Sequence, residues 1–128
     1  MHTEESRRSM PGSRSSDDAA SHLSQWVREA MLRSAESRAM RERLEHQRKV
    51  VLALAMKAAE AAGISSVAGQ EREARASAEY AAILEDLYEA SKRAELDAAE
   101  ADSRELYCRL WQTERANERT EARIYGAT

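Results

Sequence analysis

The chain of 128 residues has no Phe, a single Pro, a single Cys and four Gly, and aromatic residues make up 5% of it. Each shortage excludes something. The lone Cys108 rules out an internal disulfide and a cysteine-based zinc site, and it reads as a small apolar residue near a helix–helix seam. Between Gln70 and Tyr125 there is neither Gly nor Pro, so nothing in that stretch enforces a turn. No apolar run reaches the roughly 18 residues needed to cross a bilayer, so no membrane span is expected. The N-terminus lacks the apolar core of a secretory signal, and the expected location is cytoplasmic. Large aliphatic side chains are also scarce: Leu, Ile and Val together number 17. That share lies below the roughly 20% at which disorder becomes a serious reading. The net charge of −3 and the regular spacing of the apolar residues argue against full disorder. An isolated copy would still struggle to offset its ordering entropy, so a partner is expected, most simply a second copy in a homodimer.

Motifs for catalysis are missing too. There is no glycine-rich phosphate loop, no nucleophile elbow and no His-Glu-x-x-His pair. His2, His22 and His46 lie far apart, and none has a His or Cys one helical turn away, so no metal site is expected. The carboxylates Glu85, Asp86 and Glu89 lack the Glu-x-x-His of a di-metal bundle and read as a solvated face. No cofactor, small-molecule substrate or enzymatic activity is expected.

What the chain does have is helix-forming residues in quantity. From Gln70 to Tyr125 it is rich in Ala, Glu, Arg and Leu, and only Ile83, Thr113, Thr120 and Ile124 are β-branched. Acid-first i,i+4 pairs such as Glu71–Arg75, Glu100–Arg104 and Glu105–Arg109 add a few tenths of a kcal/mol each. One continuous helix is predicted over 70–125, roughly 80 Å long. Its apolar face is drawn through Tyr80, Ile83, Leu87, Ala94, Ala98, Ala101, Leu106, Leu110 and Ile124. That spacing exceeds 3.5 residues, which disfavours a long left-handed supercoil.

A first helix is predicted over about 19–62, with Leu23, Trp26, Ala30, Ser34, Met40, Leu44, Val51 and Leu54 on its apolar face. Residues 1–18 read as a disordered tail by composition, and Ser15–Asp18 fits a capping box. Gly63 suits the left-handed position after a helix, with Ile64 folding back. Ser65 or Ser66 can cap the second helix. The turn 63–69 is short, and a short link makes long helices antiparallel neighbours. The expected fold is therefore all-α: a long antiparallel two-helix hairpin, coiled-coil-like, dimerising into a four-helix bundle. Folding about Ser66 pairs residues whose numbers sum to roughly 132, which puts Trp26 on Leu106 and small Ser34 on small Ala98.

In that register the second helix overhangs the first from about Thr113. The expected partner-binding residues gather at this end: Trp26, Tyr107, Leu110, Trp111, Arg115, Arg119, Arg123, Ile124 and Tyr125. Trp, Tyr and Arg are common interface anchors. The expected function is a non-enzymatic protein–protein interaction or structural module: an adaptor, an assembly chaperone or a component of a larger complex. The alternative is a nucleic-acid-associated factor using the basic run Arg38–Lys49 or the stripe Arg115, Arg119, Arg123. Acidic residues interleave with that stripe, and the overall charge gives no pull toward nucleic acid.

Overall fold

A computed structural model describes residues 16–126, with side chains from Asp17 onward. Among the described residues there are helices and no strands: α1 (Ser16–Ala61), α2 (Val67–Arg75) and α3 (Ala78–Tyr125). Residues 1–15 of the expected tail, Ser15 of the capping box among them, fall outside the described residues, whereas its last three, Ser16, Asp17 and Asp18, are helical and open α1. The two aspartates sit in its first turn, where a carboxylate complements the positive helix end. The chain packs as two units. Among the described residues, 35–96 form one, and 16–34 together with 97–126 form the other.

In the unit of residues 35–96, α1 stops at Gly63, which adopts a φ of 106°. The Gly63 amide donates to the Glu60 carbonyl at 3.0 Å, and the Ile64 amide donates to the Ala59 carbonyl at 3.1 Å. This pair of bonds is the Schellman arrangement, and it satisfies carbonyls that a helix end otherwise leaves open. Ser66 then caps α2 by accepting the Gly69 amide at 3.1 Å. Gly69 therefore lies inside the first turn of α2. A Cβ at that position would come within 2.8 Å of Ser66 Oγ and 2.9 Å of Ile64 Cγ2. The buried Gln70 ties the link down, its Nε2 donating to the Ile64 carbonyl at 2.9 Å.

The link is thus Ala62 to Ser66, centred on Ile64 and not on Ser66. That shift moves the register of this unit by about one helical turn. Arg48 of α1 donates to the Tyr80 hydroxyl at 3.3 Å, where the expected register would have put Leu84, which is exposed.

The predicted continuous helix over 70–125 is also interrupted. The Ser77 hydroxyl donates to the Ala74 carbonyl at 2.6 Å and accepts the Tyr80 amide at 3.2 Å. One side chain closes α2 and caps α3, so no Gly or Pro is needed for the break. Beside it lies an apolar groove of about 520 Å³, walled by Val51, Leu54 and Ala58 of α1 and by Ala74, Ala76 and Ser77. On α3 the side chains turned inward here are Tyr80, Ile83, Leu87, Ala90 and Ala94.

In the other unit, α1 turns Ala19, Leu23, Trp26 and Ala30 inward, and α3 turns Asp97, Ala101, Arg104, Cys108, Trp111 and Arg115 inward. Leu23, at 1% exposure, is the one large side chain among the described residues that is fully buried. The inward positions on α3 follow alternating steps of three and four residues, a mean of 3.5. This corrects the expected drift. The track passes through Asp97 and Arg104, two charged residues, while Leu106, Leu110 and Ala98 stay outside. The described part of the chain has no buried side-chain polar atom without a hydrogen-bond partner, which is the condition for charge at such positions.

Candidate interaction surface

Two of the inward positions, Trp26 and Arg104, build a polar-aromatic cluster with the exposed Tyr107 in the unit of residues 16–34 and 97–126. Arg104 lies one turn after Glu100, and its Nε donates to Glu100 Oε1 at 2.9 Å. Its Nη1 reaches across to α1 and donates to the Trp26 carbonyl at 2.8 Å. The guanidinium carbon sits 4.9 Å from the centroid of the Trp26 ring, a cation–π distance. Tyr107 meets the same ring edge-on, with centroids 5.4 Å apart and planes at 81°, an arrangement aromatic pairs prefer. The Arg104 side chain is 11% exposed. Its aliphatic stem fills space between the helices while its head stays hydrogen-bonded.

Three turns further on, Arg115 repeats the pattern more loosely. Its guanidinium carbon is 5.3 Å from the Trp111 ring, and Nη1 donates to Glu118 Oε2 at 3.2 Å. Asp17 and Ala20 of α1 border a shallow cavity of about 300 Å³ with Trp111, Arg115 and Arg119. Cover by α1 therefore extends to about Arg119, further than the expected limit near Thr113. Beyond that, Arg123, Ile124 and Tyr125 are exposed.

The expected site residues thus divide. Trp26 and Tyr107 meet each other, and Trp111 and Arg115 stack together. Leu110 is 56% exposed and faces away from both clusters, as does Ile124 at 60%. Trp26 was expected against Leu106; Tyr107 and Arg104 occupy that place. Arg104 is the functional-looking residue that sequence reasoning passed over. Its signal was its spacing, seven residues after Asp97 and seven before Trp111.

The basic run of α1 is divided as well. Arg41 and Arg48 turn inward, while Arg38, Arg43 and Lys49 face out. The Tyr80 hydroxyl, and then Glu45, hold the Arg48 guanidinium above its ordinary pKa; Glu71 does the same for Arg75. Both effects strengthen the charged form through a hydrogen bond.

Among the described residues no group of three His, Cys, Asp or Glu gathers as a metal site, and no helix is long and apolar enough to cross a membrane. No family model matches the chain, and neither a curated protein nor a solved structure matches it.

Proposed function

We propose that this protein is a non-enzymatic helical interaction module, an antiparallel coiled-coil-like hairpin that dimerises and serves as a structural or adaptor component of a larger assembly. The observation that carries the reading is where the large apolar side chains lie. Among the described residues Met31, Leu32, Leu106, Leu110 and Ile124 are each at least half exposed in one unit, and Val50, Leu54, Val67, Tyr88 and Leu96 in the other. The buried apolar positions, by contrast, are mainly Ala. Burial of large aliphatic groups contributes about 1.5–3 kcal/mol each, and Ala contributes far less. A chain arranged this way gains most of its apolar burial only against another helix. The heptad spacing of the inward track supports the coiled-coil-like part of the reading.

Size-exclusion chromatography with light scattering tests it. The expected mass is at least twice the 14.4 kDa of one chain. The expected melting temperature rises with protein concentration, since association stabilises by mass action. A stable species of 14.4 kDa with a sharp, concentration-independent transition would overturn the proposal.

A further inference from the structure

The outer side of α3 carries a second seven-residue track. Ala99, Ser103, Leu106, Leu110, Thr113, Asn117, Thr120 and Ile124 succeed one another in steps of four and three, and all are exposed. The track lies about 150° around the helix from the buried one. In a chain that is 34% charged, none of these positions holds Asp, Glu, Lys or Arg. Two of its four polar members are satisfied within the helix. Thr113 Oγ1 donates to the Arg109 carbonyl and Thr120 Oγ1 to the Ala116 carbonyl, each at 3.0 Å. Their hydroxyls are thereby bonded within the helix, and their methyl groups are free to pack.

We propose that this track is a seam for the same track of a second copy, the two α3 helices running parallel and in register. This deepens the reading of the chain as a self-associating helical protein and rests on it. The flanking charges choose the occupant and its direction. On one side of the seam lie Glu100, Tyr107, Glu114 and Glu121; on the other lie Asp102, Arg109, Ala116 and Arg123. In a parallel pair each flank faces the opposite flank of the partner helix, offset by five residues. Arg109 of each copy then meets Glu114 of the other. An antiparallel pair with the whole track overlapped sets each flank against itself: Glu100 then faces Glu121, which is repulsive, Asp102 faces Arg123, and Asn117 faces Leu106, which leaves its amide without a partner. The seam positions agree. Leu106 falls at one class of core position, Ile124 and Asn117 at the other, and a lone Asn there favours a parallel two-stranded pairing through contact with its own copy.

The test uses the full chain. Leu110→Glu changes an exposed residue and no contact within the copy, so at concentrations where the chain still associates its helices persist by circular dichroism. It should weaken dimerisation by about tenfold or more in sedimentation equilibrium, because two carboxylates would face each other in the seam. Glu114→Arg should also weaken the dimer, and adding Arg109→Glu should restore it. Asn117→Cys, in a Cys108→Ser background, should form an inter-chain disulfide on mild oxidation. If the unaltered chain is a monomer, the broader reading fails along with this one. If it is a dimer that Leu110→Glu leaves intact, or one in which Asn117→Cys does not cross-link, the seam is wrong and self-association stands. A Glu114→Arg chain that dimerises at least as tightly as the unaltered one would overturn the parallel arrangement, since Glu114 would then not be meeting Arg109.

Discussion

Arg104 is the residue on which the pairing of α1 with α3 near the chain ends depends most. It donates to a main-chain carbonyl of the other helix, to Glu100 on its own, and it covers the Trp26 ring. Hydrogen bonds to charged groups contribute about 1.5–3 kcal/mol, and a cation–π contact about 0.5–1 or more. Arg104→Ala is expected to destabilise the fold by about 2–3 kcal/mol in urea denaturation. Arg104→Lys should recover less than half of this, because an ammonium cannot lie flat on the ring and reach the carbonyl together. Gly63 acts through backbone conformation alone. No atom lies within 4 Å of where its Cβ would be, yet its φ of 106° strains any L side chain. Gly63→Ala is expected to cost about 1–2 kcal/mol by thermal denaturation. Gly63→Asn should cost less, because a short polar side chain tolerates positive φ.

At the scale of the element, α3 owes its start to Ser77 and its burial to a track in which Ala alternates with larger groups such as Tyr80, Ile83, Arg104 and Trp111. Ser77→Ala removes the cap and is expected to cost about 1 kcal/mol, whereas Ser77→Gly should cost only a few tenths. Ala101 is buried and Ala98 is exposed, three residues apart on one helix. Ala101→Leu should overpack the contact with α1 and destabilise by about 1–3 kcal/mol. Ala98→Leu should change stability by no more than about 0.5 kcal/mol. Equal effects in the two variants would contradict the inward track. The helical character of this element was legible from composition, and the helix end at Gly63 was legible because only a Gly followed by an apolar residue suits that geometry. The break at Ser77 was not, since a Ser within an Ala-, Glu- and Arg-rich run looks like solvated helix until its hydroxyl is seen bonding both ways. The inward face was misdrawn for a related reason. Sequence reading assigns Leu to the inside and Arg to the outside. Here Arg104 and Asp97 satisfy their polar groups inside, and Leu106 and Leu110 are left outward. The pairing of Trp26 with the Tyr107 region was legible to within a residue; the separation of Leu110 and Ile124 from it was not.

For the whole molecule, the balance lies between ordering a long chain and burying few large side chains. That balance favours a folded state that depends on association. Its melting temperature should rise by several degrees over a hundredfold increase in protein concentration, and Leu110→Glu should flatten this dependence. Both tryptophans, Trp26 and Trp111, belong to the unit of residues 16–34 and 97–126, and residues 35–96 contain none. Each indole lies beside an arginine whose position depends on the fold around it. Tryptophan emission, excited apart from Tyr80 and Tyr88, is therefore a private signal of one unit, while far-ultraviolet ellipticity averages over both. Melting curves recorded by the two methods would coincide if the units unfold together and separate if one opens first. The native chain thus carries its own reporter of cooperativity, with no label attached.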